Sequence, residues 1–320
     1  MGQQVAERAP ATAADGPSPR RSRGRVRRLG TGDRIVLVLM VAIPTAIELF
    51  LVWLPALASV GLSFTRWNGL GGLSQIEAAG LSNYTYILND YPPFWPAVQH
   101  NVIWLLFLAC VGTPLGVLLA VLLDGKIRGT RLFQSIFFLP VMLSMALIGI
   151  IWQLIYSGDR GLVNSALGIA GTPDAVDFFG DSSLNLWAAL IAQTWRHAGY
   201  VMILYLAGLK GVDSTLREAA ALDGASAWQT FTKVVFPVLK PINTVVVVIT
   251  VIEALRAFDL VCIINKGTNG LELLSALVVQ NLQGEGQDLG TGSAIATVLL
   301  VISLVPIVIY LQRTFGRERT

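Results

Sequence analysis

The stretch TLREAAALDGASAWQTFTKVVFP, Thr215 to Pro237, is polar and lies between two runs of residues apolar enough to cross a bilayer. Thr215 followed by Glu218 has the spacing of a capping box, in which a hydroxyl accepts from the amide three residues on and a carboxylate reaches back to the cap's own amide. A helix is therefore expected to start there. Ala219, Ala220, Ala221 and Leu222 propagate it, being among the strongest helix formers. Asp223 and Gly224 end it, because glycine tolerates the left-handed conformation of a helix terminus. Ser226 and Gln229 repeat the capping-box spacing and open a second helical stretch that ends at Pro237. The predicted product is a helix, a sharp corner and a helix. Its alanine face carries no bulk, so another protein surface can approach closely, with Arg217 and Glu218 charged at the rim. A helix-turn-helix that reads DNA has a similar outline. This segment, however, is not notably basic and is tethered at both ends by apolar runs.

Of the 320 residues, 54% are hydrophobic and 13% charged, with mean hydropathy +0.64. A soluble domain carries about 25% charged residues, so most of this chain is expected in lipid. A bilayer core of about 30 Å needs roughly 20 apolar residues as helix. Six segments qualify: 35–64, 102–123, 132–156, 186–209, 242–264 and 292–311. The predicted fold class is all-α, a polytopic integral membrane protein with six transmembrane helices. Its membrane domain covers 34–313, with a polar loop at 211–240. The first segment holds Pro44 and Pro55, so a tilted or kinked helix is expected.

Lys and Arg collect on one side of these segments. Eighteen of the 23 fall in four places: the N-terminus (Arg8 to Arg34), residues 126–131, the 211–240 loop with its flanking Lys210, and the C-terminus from Arg313. Positive charge marks the cytoplasmic side. Both termini and the Glu218 loop are therefore expected inside the cell, with an even number of crossings. The net charge of +3 then reports topology and not a nucleic-acid partner. Residues 1–33, rich in Ala, Pro, Gly and Arg, read as a disordered basic cytoplasmic tail and not as a cleavable signal. Residues 314–320 read as a short cytoplasmic tail.

No catalytic chemistry emerges: there is no phosphate-binding glycine loop, no clustered His and Cys, and no nucleophile elbow. No metal site is expected. Cys110 and Cys262 lie in apolar segments and read as packing residues. Charged groups inside a span are expensive and ordinarily face protein or a wet cavity, which singles out Glu48, Arg196, Glu253, Arg256 and Asp259. Glu253 and Arg256 stand three apart and have the spacing to pair with each other. Gln193, Arg196, His197 and Tyr200 share one helical face. Gln193 and Tyr200 suit a hydroxylated ligand, as a planar hydrogen-bonding amide and an aromatic face. Interhelical hydrogen bonding recruits the same residue types.

The pattern Glu218-Ala219-Ala220, three residues, Gly224, nine residues, Val234-x-Phe236-Pro237 resembles the EAA loop of the inner-membrane permease subunits of binding-protein-dependent ABC importers. Val and Phe stand where the family pattern has Ile and Leu. Leu62-Ser63-Phe64-Thr65 with Trp67, Leu81-Ser82-Asn83-Tyr84, Phe94-Trp95-Pro96-Ala97, Gly161-Leu162-Val163-Asn164 and Ala257-Phe258-Asp259-Leu260 resemble the carbohydrate branch, on the side of the maltose-type F subunit. The resemblance implies that the loop is a coupling helix docking on a separate ATPase, with Glu218, Ala219, Ala220, Asp223, Gly224 and Pro237 as its residues. It implies a sugar path lined at Gln193, His197, Tyr200, Glu253, Arg256 and Ala257. It also implies a second permease chain of the maltose-type G kind, an ATP-binding cassette ATPase dimer that alone binds ATP, an extracytoplasmic solute-binding protein, and residence in the bacterial inner membrane. This chain would carry no cofactor. A permease for glycerol phosphate or another polyol, with Arg196 or Arg256 as anion ligand, is the second expectation. A self-sufficient ion-coupled transporter or channel is the third.

Overall fold

The computed structural model describes residues 30–70, 72–125, 128–284 and 286–316. The expected N-terminal tail lies outside the described residues up to residue 29, as do residues 317–320. The chain divides into a unit ending at Leu54 and a unit beginning at Pro55.

The described fold is helical, with one two-stranded antiparallel ribbon pairing Thr65 with Ala78 and Arg66 with Glu77. In chain order the main helices are α1 (Thr31–Leu62), α2 (Ser82–Asn89), α3 (Phe94–Asp124), α4 (Thr130–Met142), α5 (Met145–Ile155) and α6 (Asn185–Lys210). There follow α7 (Ser214–Leu222), α8 (227–238), α9 (Lys240–Leu255), α10 (Asp259–Asn265), α11 (Leu274–Gln283) and α12 (Leu289–Gly316). Among the described residues α1, α3 and α12 are each long and apolar enough to cross a membrane, and α4 with α5 make a fourth if counted as one broken span.

Two expected spans are interrupted. The run 132–156 is α4 and α5, bent by 106° at Leu143 and Ser144. Leu143 is extended, and the Ser144 hydroxyl accepts from the Leu147 amide at 3.2 Å, so a helix cap sits inside an unbroken apolar run. The run 242–264 is α9 and α10, separated at Arg256, Ala257 and Phe258. Hydropathy saw neither break, because it weighs side chains and is blind to where a backbone donor finds a cap.

Among the described residues three helices contain a π-helical turn: Leu49–Trp53 in α1, Leu108–Gly112 in α3 and Phe231–Val235 in α8. Each ends two residues before a proline: Pro55, Pro114 and Pro237. A helical proline has no N–H for the carbonyl four residues back, and its ring clashes with that oxygen. That carbonyl belongs to Leu51, Cys110 or Lys233, the middle residue of each widened turn, so the extra residue relieves the clash. The kink expected in α1 thus takes the form of a π-turn before Pro55, whereas Pro44 lies in regular helix.

Within the second unit α6 is the central element. Ala188, Ala189, Ala192, Ala198, Val201 and Met202 are all buried on it. Small residues let neighbours come close, as in membrane helix pairs generally. A Cβ on Gly116 of α3 would lie 2.6 Å from the Val201 Cβ and 2.7 Å from the Ala198 carbonyl, and one on Gly199 would land on the Phe137 carbonyl of α4. Asn101 of α3 is buried, gives its amide to the Ala254 carbonyl at 3.3 Å and accepts from the Leu274 amide at 2.9 Å, tying α3 to α9 and α11. Against expectation Cys110 is exposed and Cys262 half-buried, so neither is a core residue.

Candidate functional site: a capped hairpin and a partly buried charge triad

The hairpin begins two residues earlier than its sequence suggests. Asp213 and not Thr215 caps α7, its Oδ1 accepting from the Thr215 amide at 2.9 Å. Asp caps at least as well as Thr. With Thr215 already inside the turn, Glu218 makes no hydrogen bond or ion pair among the described residues and stands exposed. The Thr215 backbone and side-chain hydrogen bonds hold the Asp213 carboxyl below its usual range. Its contribution to the cap is therefore present above the unfolded pKa and lost as pH falls through the folded one.

The corner is as expected. Gly224 has φ +75°, its amide donates to the Ala221 carbonyl at 3.1 Å, and the Ala225 amide donates to the Ala220 carbonyl at 3.0 Å. These two bonds make a Schellman motif closing α7 at Asp223. Ser226 then opens α8 through a full capping box: the Gln229 amide donates to Ser226 Oγ at 3.3 Å, and the Ser226 amide donates to Gln229 Oε1 at 2.9 Å. Pro237 does not stop this helix, which passes through it to Val238 because the π-turn absorbs the proline.

Arg217, expected at the rim, turns inward. Its Nη1 donates to Asp124 Oδ2 at 2.9 Å and its Nη2 to the Leu209 carbonyl at 3.3 Å. One guanidinium thus fastens the hairpin to the C-terminal ends of α3 and α6, where helix dipoles favour a cation. Ala220 is buried beneath it, while Ala219 faces outward. The free surface carries Glu218, Ala219, Leu222 and Trp228, the last two 90% and 72% exposed. Asp223 is exposed beside them, and such apolar exposure beside the free carboxylates of Glu218 and Asp223 is the character of a protein-docking face.

In the helical body the structure joins three of the candidate residues. Arg196 Nη1 donates to Glu253 Oε1 at 2.8 Å, and His197 Nδ1 lies 2.7 Å from Glu253 Oε2. Facing a carboxylate, Nδ1 carries the hydrogen, and Nε2 lies 3.1 Å from the Thr113 hydroxyl. Thr250, whose hydroxyl donates to the Val246 carbonyl at 2.7 Å, closes the set 3.5 Å from Nε2. Glu253 therefore pairs across to α6 and not with Arg256 on its own helix. The reason is geometric: α9 ends at Leu255, and Arg256 is the exposed cap residue beyond it. Ala257 is buried in the core. Gln193 is buried with its Oε1 unpaired among the described residues, and Tyr200 is half-buried. Asp259 is exposed at the start of α10. Thr113 and Thr250 escaped the sequence reading, since a lone threonine in an apolar run carries no signal until its partner is known.

Residues 112–319 match the family described as binding-protein-dependent transport system inner membrane component. A probable ABC transporter permease protein of Pyrococcus horikoshii is 30% identical, the match covering 88% of this chain and 97% of that one. The lactose transport system permease protein of Rhizobium radiobacter is 33% identical over 85% of this chain and 91% of its own length. The trehalose/maltose transport system permease protein of Thermococcus litoralis is 29% identical over 93% and 97%. Among solved structures, a bacterial ABC transporter involved in import of the acidic polysaccharide alginate shares the fold, with TM-score 0.74 at 19% identity, covering 88% of this chain and 96% of that one. The chain belongs to the binding-protein-dependent transport system inner membrane component family: it is a multi-pass permease subunit of an ABC importer and not an enzyme.

Proposed function

We propose that this chain is one of two similar but non-identical permease subunits of a carbohydrate importer and that the 214–238 hairpin is its coupling element. The observation that carries the reading is the hairpin's division of labour. Arg217 binds it to the ends of α3 and α6, while Glu218, Ala219, Leu222 and Trp228 are left facing outward for a partner. A push on that face is transmitted to two long helices at once. An ATPase dimer on the cytoplasmic side supplies the push and binds the ATP, and an external solute-binding protein delivers the cargo. The second permease chain completes the path.

The same reading assigns six crossings: α1, α3, the bent pair α4–α5, α6, α9 with α10, and α12, with both termini and the hairpin inside the cell. The Lys and Arg distribution supports this orientation. The lactose and trehalose/maltose relatives support a neutral sugar as cargo. The Arg196–Glu253 pair argues the same way, because a guanidinium already neutralised at 2.8 Å is a poor ligand for a phosphate. In the path, Gln193 and Tyr200 are the sugar contacts, and the Glu253 triad sets the position of α6 against α9.

The test is ATP hydrolysis by the reconstituted importer in the presence of its binding protein and a panel of sugars and sugar phosphates. Stimulation by a neutral sugar, abolished by Glu218→Ala, is expected. Stimulation by phosphorylated ligands alone would replace the cargo, and transport by this chain without an ATPase would remove the whole reading.

A further inference from the structure

At the end of α3 remote from the hairpin, roughly 45 Å away along 31 residues of helix, lies a cavity of about 850 Å³. Small-molecule sites occupy roughly 300–1,000 Å³. Its walls are the two-stranded ribbon, α2 and the start of α12. They are tied together by bonds that engage part of the lining. Buried Asn83 donates to the Ser63 and Thr65 carbonyls at 2.9 and 2.8 Å, Asp288 commits both carboxylate oxygens to Thr291, and the Leu289 amide donates to the Trp67 carbonyl at 2.9 Å. Asn83 opens an Asn-Tyr-Thr tripeptide, but its amide is thus engaged in the fold.

Trp67 Nε1 donates to the Leu70 carbonyl at 3.2 Å and Asn68 Oδ1 accepts from the Leu70 amide at 3.0 Å, whereas other lining side chains have no such employment. Among the described residues Arg66, Gln75, Glu77 and Gln287 make no side-chain hydrogen bond or ion pair, nor does the Tyr86 hydroxyl, and Ser82 Oγ is buried without a partner. Arg66 and Glu77 are directly opposite each other in the ribbon, so their charges offset. What is left is a set of planar amides and hydroxyls, one charge of each sign, and the aromatic side chains of Trp67 and Tyr86. Flat polar groups supply directional donors and acceptors, and aromatic faces take the C–H side of a pyranose. A phosphate or uronate would need the cationic cluster that this cavity lacks.

We propose that this cavity is a second carbohydrate site, separate from the translocation path, that holds a neutral di- or trisaccharide on the outer face. Its outward position rests on the orientation proposed above. Sugar arriving from the binding protein dwells there, so the site raises local concentration at the entrance.

The experiment is saturation-transfer NMR on the importer complex in nanodiscs, without ATP or binding protein, using lactose, maltotriose and trigalacturonate as probes. Transfer to the two neutral sugars and none to the charged trimer is expected. The Tyr86→Ala/Gln287→Ala double variant should weaken both by about tenfold while unfolding at the parent's temperature. Gln75→Ala is a second variant with a smaller loss in the same direction. Absence of transfer to both neutral sugars, equal transfer to the trimer, or undiminished binding in the variants overturns the proposal. If only a sugar phosphate stimulates ATP hydrolysis through the binding protein, the cargo assignment fails while the cavity's own binding result is untouched.

Discussion

The hairpin and the charge triad both depend on polar groups finding partners, and they differ in how far those partners lie along the chain. In the hairpin the cap joins residues two apart, the capping box residues three apart and the corner residues three to five apart. In the triad Arg196 reaches Glu253 across 57 positions, and Thr113 reaches His197 across 84. Short-range bonds give the hairpin an internal shape that is its own. Long-range bonds make the body that holds it, and Arg217, reaching Asp124 across 93 positions, is the hairpin's own long-range tie to that body.

If the division is right, damage should grade accordingly. Glu253→Ala should do the most harm to stability, because it leaves the Arg196 guanidinium and buried His197 without their carboxylate. A loss of about 3 kcal/mol, the lower end for breaking a buried pair, is expected because this pair is partly buried and His197 beneath it fully so, read as a lowered unfolding temperature of the detergent-purified importer. Replacing Arg196 and Glu253 together with Met and Leu should recover part of it. Next comes Gly116→Val, which drives a side chain into Val201 and the Ala198 carbonyl; overpacking of that kind costs about 2 kcal/mol. In the hairpin, Gly224→Ala at φ +75° and Ser226→Ala at the capping box should each cost about 1 kcal/mol. Equal costs in the two regions would break the comparison.

The smallest effect on stability is expected from Glu218→Ala, within about 0.5 kcal/mol, with loss of binding-protein-stimulated ATP hydrolysis. That pairing sharpens the contrast, since a capping role for Glu218 would show as a stability loss and an interaction role would not. The Asp213→Ala variant is its complement, because Asp213 holds the cap that Glu218 does not.

These distances also explain what could be read in advance. The corner at Gly224 and the Ser226–Gln229 box are written in adjacent letters and were legible. The start of α7 was misplaced by two residues because Asp213, Ser214 and Thr215 are all competent caps. The inward turn of Arg217 depends on Asp124, 93 positions away, and no local pattern announces it. Glu253 had a plausible partner nearby in Arg256 and a better one on α6, visible only once the helices are packed. The break at Ser144 was masked by its apolar surroundings, although the serine itself was in plain view.

The π-turns ahead of Pro55, Pro114 and Pro237 carry one consequence for the whole molecule. Each admits a supernumerary residue, and one residue is about 100° of helical phase. In α3 this lets Asn101 and Trp104 address α9 and α11 while Gly112 and Gly116 beyond address α6. One rod thereby serves two sets of neighbours. Removing a single amino acid between 108 and 112 would leave composition and hydropathy intact yet swing half of that rod away from its companions, unless Pro114 were removed as well.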